Sequence, residues 1–412
     1  MQSSIGWRTA TAITLFAATA QAAWSQAAPG TPVQTEADAY TRYELLAPGS
    51  GKFRILYEVT ATSPGAVVYD NPIRRGSIAS DERVIDVATG RPLEHETVSA
   101  TAARADGVTG NAADQYLRVR LARPVPTAGG GGRILIDKTY EDPASYKVEA
   151  DGEIVFARPL GIRRNTVVLP AGYELIACNT PSQVLQDPDG HVRISFWNDG
   201  AGEAPLVLKA RAAMGPLAAP GPATAAVADR AHQSRDIVYD LHQPETHAFS
   251  LHHDYTETSA GTDHYVNVVR TGSTVQDPGG RDLDTGAVLR PEVLKGEAIT
   301  RAGIHEEGLT VTPDAEVVVF RYDPVPPGGS KRLRMSETYV DAERYRIEAG
   351  ELVWRRSFGR AHDVVILPTG WALSASSIPA VVTTDADGRV RLEFTNPRPD
   401  EIDTVITAHR VR

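Results

Sequence analysis

The stretch LPAGYELIACNTPSQVLQDPDGHVRISFWN, residues 169–198, decides the fold because the chain contains it twice. The second copy reads LPTGWALSASSIPAVVTTDADGRVRLEFTN and occupies residues 367–396. Residues 152–198 and 350–396 align without a gap, and 20 of the 47 aligned positions are identical. A match of this length indicates a duplicated domain rather than a short solenoid repeat.

The similarity extends over almost the whole of each half, in one order. Further matches are Thr139-Tyr140 with Thr338-Tyr339, residues 76–90 with residues 272–286, and Tyr57 with Tyr255. The first copy has the apolar residues Ile55 and Leu56 in this region, so His253 has no histidine counterpart there. We therefore expect any site that uses His253 to belong to the second copy alone.

The two copies are separated by residues 212–235, which read AAMGPLAAPGPATAAVADRAHQSR. This segment is rich in Ala, Pro and Gly and contains no aromatic residue, which is typical of an interdomain linker. The two domains then comprise residues 33–211 and 236–412. Each is long enough to bury its own core, so each is expected to fold alone.

Short β-strand patterns dominate both copies. Segments such as YLRVRLAR (116–123) and AEVVVFRY (315–322) are rich in β-branched and aromatic residues, as strands are. The turn sequences DPDG and DADG predict that residues 183–198 and their copy form β-hairpins. We therefore predict an all-β fold of two tandem, duplicated antiparallel β-sandwich domains joined by the Ala/Pro/Gly-rich linker.

The first residues predict export. Arg8 gives a positive start, an apolar segment follows, and Ala20-Gln21-Ala22 forms a small-residue cleavage site, so residues 1–22 read as a cleaved Sec-type signal peptide. The single cysteine, Cys178, has no partner for an internal disulfide, and exported proteins without disulfides are commonest in bacteria. The sequence predicts a bacterial periplasmic or secreted protein.

Charge and hydropathy restrict the partners. The formal net charge is −10, which argues against nucleic acid as a ligand, because phosphate binding needs concentrated Lys and Arg. The mature chain has no apolar stretch long enough to span a membrane. The expected partner is a protein or carbohydrate ligand outside the cytoplasm, and no cofactor is predicted.

A histidine-rich segment, residues 242–264, carries the best metal-site pattern. Two strands joined by TETSAGTD would bring His264 near His253, with Asp254 as a further ligand. Adjacent strand residues point to opposite faces, so His252 and His253 cannot both join such a site. The candidate metal ligands are therefore His253, His264 and Asp254, weighed against the alternative that they are ordinary surface side chains.

The other motifs do not indicate a specific binding or catalytic site. The D-x-D-G turns lack the remaining ligands of a calcium loop, and HEEGL at residues 305–309 lacks the second histidine of a zinc motif. No nucleophile elbow or phosphate-binding loop is present, and the glycines at 129–132 read as a flexible hairpin loop. The large aromatic residues stay apolar in both copies while their identities vary, which favours core packing over a sugar-stacking platform.

Two classes of function are consistent with these sequence features. The absence of a catalytic motif favours a non-catalytic binding, structural or accessory protein. The alternative is a metal- or carboxylate-dependent secreted hydrolase with its site on the second domain, for which the histidine-rich segment is the support.

Overall fold

The computed structural model describes residues 33–109, 113–200, 202–215, 227, 229–232, 235–269, 273–305 and 309–411. The predicted signal peptide and most of the predicted linker lie outside these residues. The described residues form β-strands with two short α-helices, α1 (Ala100–Ala105) and α2 (Glu297–Arg301), and one 3-10 turn (Pro244–Thr246). Among them no helix has the length and apolarity needed to cross a membrane.

The described residues of the first half form fifteen strands. They are β1 (Glu36–Leu45), β2 (Lys52–Ala61), β3 (Val68–Ile73), β4 (Ile78–Asp86), β5 (Arg91–Pro92), β6 (His95–Ser99), β7 (Gln115–Arg120), β8 (Gly132–Glu141), β9 (Tyr146–Val148), β10 (Ile154–Leu160), β11 (Arg164–Val168), β12 (Tyr173–Cys178), β13 (Gln183–Gln186), β14 (Val192–Trp197) and β15 (Ala204–Ala212).

The second half repeats this series in the same order. Its strands are β16 (Asp236–Leu241), β17 (Ala248–Glu257), β18 (His264–Val268), β19 (Thr274–Asp282), β20 (Val288–Leu289), β21 (Pro291–Lys295), β22 (Glu316–Arg321), β23 (Lys331–Val340), β24 (Tyr345–Glu348), β25 (Glu351–Phe358), β26 (His362–Ile366), β27 (Trp371–Ser376), β28 (Val381–Thr384), β29 (Val390–Thr395) and β30 (Ile402–Arg410).

Each half builds three sheets with matching strand orders. The large sheet runs β13-β14-β11-β1-β2-β8-β4-β5 in the first half and β28-β29-β26-β16-β17-β23-β19-β20 in the second. A four-stranded sheet, β12-β15-β10-β9 or β27-β30-β25-β24, and a three-stranded sheet, β3-β7-β6 or β18-β22-β21, complete each half. Pairing is antiparallel except for β1 with β11 and β16 with β26. The predicted all-β, duplicated sandwich fold is confirmed.

Strand alternation builds a separate hydrophobic core in each half. Along β2, every second residue from Phe53 to Ala61 is buried, as expected where one sheet face is covered. The predicted hairpin is confirmed, because β13 pairs with β14 and the amide of Gly190 donates to Asp187 O across the turn. The core also takes in Trp354 and Phe358, as their apolar variation between the copies predicts.

The strand register corrects the sequence alignment of the two copies. Tyr140 pairs with Phe53, and its counterpart Tyr339 pairs with Phe249, so β2 and β17 correspond at an offset of 196 residues. Tyr57 is therefore the counterpart of His253, and the sequence alignment of Tyr57 with Tyr255 is wrong. A slip of two residues leaves the inward and outward phase of a strand unchanged, so the hydrophobic pattern cannot detect it.

Buried polar contacts join the two halves. The Arg133 guanidinium in β8 makes two parallel bonds to the Asp284 carboxylate, at 2.6 and 2.9 Å, and also donates to the hydroxyl and carbonyl of Ser330. Elsewhere the Trp197 ring stacks on the His362 ring at 5.6 Å between centroids. The halves thus meet through specific, desolvated pairs.

The glycine-rich loop before β8 belongs to this interface, so its interpretation as a flexible loop is wrong. The amide of Gly131 donates to Leu283 O, and in return the amide of Ser330 donates to Ala88 O. A Cβ at Gly130 would lie 2.3 Å from Leu283 O. The backbones approach too closely here for any side chain.

We expect Gly130→Ala to lower the free energy of unfolding by about 1–3 kcal/mol more than Gly172→Ala, because of this overpacking. Both glycines have positive φ, at 131° and 77°, but a Cβ at Gly172 would meet no atom within 4 Å. Chemical denaturation of the two variants checks the order. Equal losses, or a larger loss at Gly172, would mean that the loop is not fixed against the second half.

Candidate functional site

The three predicted metal ligands do not converge. Asp254 is held by Arg334 through two bonds of 2.7 and 2.8 Å, and Nδ1 of His264 lies 2.7 Å from the neighbouring Asp263 carboxylate. His253 instead faces a cavity, with Nε2 3.4 Å from the Tyr265 hydroxyl. Metal binding by His253, His264 and Asp254 stays a prediction, but the structure does not bring their ligand atoms together.

Other metal-like patterns have structural explanations. Within the described part of the chain, one group of three acidic or ligating side chains clusters within 4.8 Å, namely Glu149, Asp151 and Glu153. Lys209 lies 2.8 Å from Glu149 and 3.7 Å from Glu153, so the cluster already has a counter-charge. Residues 306–308 of the HEEGL segment lie outside the described residues.

Each half instead contains a cleft at the same place in the fold. In the first half, residues of the large sheet, of β3 and of β10 line a cavity of about 630 Å³. In the second half, residues of the large sheet, of β18 and of β25 line a cavity of about 270 Å³. All three sheets of each half therefore meet at its cleft.

The corrected register shows that the two clefts are built from equivalent positions. The equivalent lining pairs include Tyr43 and Tyr239, Ile55 and Leu251, Tyr57 and His253, Tyr69 and Tyr265, Asn71 and Asn267, Tyr140 and Tyr339, and Arg158 and Arg356. Five of these seven pairs are identical: three are tyrosines, one is asparagine and one is arginine. The two clefts share one polar framework.

An ionisable residue lies at the centre of each cleft, with opposite charge in the two halves. Lys138 in β8 and Glu337 in β23 hold the same inward position of their strands, and both are buried. Lys138 Nζ donates to Asn71 Oδ1 at 2.6 Å, whereas Asn267 Nδ2 donates to Glu337 Oε2 at 2.6 Å. The same asparagine therefore turns its oxygen to a cation in one half and its amide to an anion in the other.

Among the described residues, neither Lys138 nor Glu337 forms an ion pair. Their side chains are hydrogen-bonded instead to the neutral amides of Asn71 and Asn267. Burial lowers the pKa of Lys138 to about 7, and the charge of Arg158 acts in the same direction. Burial likewise raises the pKa of Glu337. A buried, unpaired charge is costly, so folding alone does not favour either residue here.

The first cleft is basic overall. Arg74, Arg75 and Arg158 line it together with Lys138, against the carboxylates of Glu36 and Glu203. Arg158 is neutralised by Asp142 at 3.0 Å, and Arg75 by Asp114 at 2.9 Å. The Glu36 carboxylate accepts hydrogen bonds from the hydroxyls of Tyr57 and Tyr69. Among the described residues that line this cleft, the Lys138 ammonium is the buried charge without a counter-ion.

The second cleft contains further changes of chemistry. Asp363 stands where the first half has Asn165, and Arg360 stands where it has Ile162. Burial raises the pKa of Asp363 to about 7. Burial also lowers the pKa of His253 to about 3, so its imidazole is neutral. This cleft thus combines two buried carboxyl groups, two arginines and a neutral histidine.

Sequence reasoning identified His253 but missed the rest of the cleft. The sequence does indicate that Lys138 is unusual. In RILIDKTY (133–140) it stands between Ile136 and Tyr140, at a position that strand alternation assigns to the buried face. Glu337 occupies the same phase of β23. A charged residue on the buried face of the same strand in both copies indicates a polar site inside the core.

Comparisons with known proteins leave the class of this protein open. No family model matches the chain, and no curated protein matches it. Among solved structures, a collagen adhesin from S. aureus covers 79% of this chain and 88% of its own, at 8% identity and a TM-score of 0.16. A proposed protease from Parabacteroides distasonis covers 91% and 92%, at 10% identity and a TM-score of 0.22. Both TM-scores are too low to carry an argument about fold or function.

Proposed function

We propose that this chain is an exported, non-catalytic binding protein whose halves each present one ligand-binding cleft. The observation that carries the proposal is the equivalence of the clefts, which keep a tyrosine, asparagine and arginine framework around an unpaired central charge. Duplication with a reversed central charge gives two related sites with different ligand preferences. Its place of action is the periplasm or the exterior, on the basis of the signal-like residues 1–22.

The cleft of the first half takes an anionic group. A carboxylate or phosphate beside Lys138 would supply the counter-charge that the described residues do not. The Tyr140 hydroxyl, which accepts from the Arg74 amide, has a proton to donate to such a group. The cavity, at about 630 Å³, is within the range of small-molecule sites. Ligand binding thus offsets the cost of burying the ammonium.

Anion binding should weaken as the pH rises through about 7, because Lys138 then loses the proton that gives it charge. Titration of the protein with acetate, succinate and phosphate, followed by NMR, checks this. At about pH 6 at least one anion should bind saturably, and Lys138→Met should weaken it by about tenfold or more.

Lys147→Met is the matched control, because Lys147 is half exposed and lies 3.7 Å from Glu149 outside the cleft. It should leave the titration unchanged. Equal affinities in wild type and Lys138→Met, or binding that strengthens with rising pH, would contradict an anion site at Lys138.

A carboxylate-dependent hydrolase remains the second candidate, since the cleft of the second half contains Glu337 and Asp363, two buried carboxyl groups with raised pKa values. Such groups resemble general acids in their environment. Chromogenic peptide, ester and glycoside substrates test it, and we expect no turnover. Hydrolysis that is abolished by both Glu337→Gln and Asp363→Asn would replace the non-catalytic proposal.

A further inference from the structure

Buried polar atoms are left without partners in the cleft of the second half. Glu337 is 3% exposed and Asp363 is 1% exposed. Among the described residues, Oε1 of Glu337, both carboxyl oxygens of Asp363 and one terminal nitrogen of Arg356 make no hydrogen bond. All three residues line the same cavity of about 270 Å³. Unpaired buried polar groups are rare, and they indicate an absent hydrogen-bonding partner.

The mixture of donors and acceptors restricts the chemistry of that partner. Glu337 and Asp363 would repel an anion, whereas Arg356 and Arg360 would repel a cation. Neither simple ion therefore suits the cavity. The carboxyl groups present acceptors and the guanidinium presents donors. A neutral ligand with several hydroxyl groups can donate to the first and accept from the second.

The size and walls of the cavity agree with such a ligand. Tyr239, Tyr265 and Tyr339 line it, so aromatic rings lie beside the polar groups. A volume of about 270 Å³ has room for roughly ten non-hydrogen atoms, judged by the volume that water molecules occupy. One sugar ring is of this size, and its C–H faces pack on aromatic rings.

We propose that the cleft of the second half binds a single sugar residue, with Glu337 and Asp363 accepting from its hydroxyls and Arg356 donating to them. This inference rests on the proposed binding function and specifies its ligand class in one half. The ligand is either a free monosaccharide or one residue of a longer glycan. The first cleft, with Lys138 and Asn165 at the corresponding positions, does not share this preference.

The duplication shows that the fold does not need these acids. Asn165 occupies the place of Asp363, and Ile162 that of Arg360, within the same strand order. Asp363→Asn therefore introduces the residue that the first half already accommodates. Loss of binding in this variant can be separated from loss of folding.

The test is saturation-transfer NMR with methyl glycosides of glucose, galactose, mannose and N-acetylglucosamine at about 10 mM, together with glycine and alanine as zwitterionic competitors. At least one glycoside should show transfer. At about pH 8, above the pKa of Asp363, Asp363→Asn and Glu337→Gln should each weaken its binding by about tenfold or more, because each variant replaces an acceptor oxygen by an amide donor.

Asp323→Asn and Glu94→Gln, which alter exposed carboxylates, are the matched controls and should leave the affinity unchanged. No transfer from any glycoside, binding that survives both cleft variants, or displacement by glycine or alanine would each overturn the sugar proposal. If the glycosides fail while an anion still binds at Lys138, the binding function stands without the sugar site. If both fail, the binding function falls as well.

Discussion

Replacing Arg133 by methionine should lower the free energy of unfolding by about 3–5 kcal/mol, the range found when one member of a buried ion pair is removed. The Arg133 and Asp284 side chains are only 8% and 4% exposed, and the pair joins the two halves. The variant leaves the Asp284 carboxylate buried, with the Arg332 amide as its remaining donor in the described residues. Chemical denaturation at neutral pH measures the loss.

Arg120→Met is the control, because Arg120 and Glu94 are 75% and 84% exposed and 3.8 Å apart. An exposed pair contributes at most about 1 kcal/mol. Losses of equal size at Arg133 and Arg120 would mean that the contact between the halves is solvated and weak. The independent folding of residues 33–211 and 236–412 stays a prediction, and each half alone would expose one member of the Arg133 pair.

Asp363→Asn should stabilise the protein at alkaline pH and have little effect on stability in acid. The folded-state pKa of Asp363 is raised from 3.8 to about 7, so the unfolded chain releases the proton first. Below about pH 4 both states hold the proton; above pH 7 the folded state carries a buried carboxylate. The gain therefore grows between these values and reaches at most about 4 kcal/mol.

Unfolding free energies of wild type and variant across this pH window measure the gain. Asp323→Asn, at an exposed position, provides the control and should show no such growth with pH. A gain that is constant with pH, or that appears only in acid, would mean that Asp363 is charged and solvated in the folded protein.

The sequence predicts the fold well because the fold depends on local patterns. Proline, glycine and the turns DPDG and DADG mark where strands end in the two copies. The alternation of residues such as Phe53, Ile55 and Tyr57 marks the buried face. The pattern cannot fix register to better than two residues. That limit misaligned Tyr57 with Tyr255 and hid its equivalence to His253.

The candidate site was harder to predict because it depends on contacts between distant segments. Lys138 and Asn71 are 67 positions apart, and Glu337 and Asn267 are 70 apart. The histidine-rich segment predicted a site within one hairpin, whereas the cleft is assembled from three sheets. The available signal was a charged residue at a position of β8 and β23 that strand alternation assigns to the buried face. The sign of this charge is opposite in the two copies.

The central claim, that the cleft of the first half contains a buried, unpaired charge for a ligand to neutralise, is tested most directly by the pKa of Lys138. The chain has six lysines, so selective ¹³Cε-lysine labelling gives a simple spectrum, and Lys138→Met identifies its signal. We expect Lys138 to titrate near pH 7, and its pKa to rise when succinate saturates the cleft. A Lys138 signal that titrates near pH 10 with and without succinate would contradict the account.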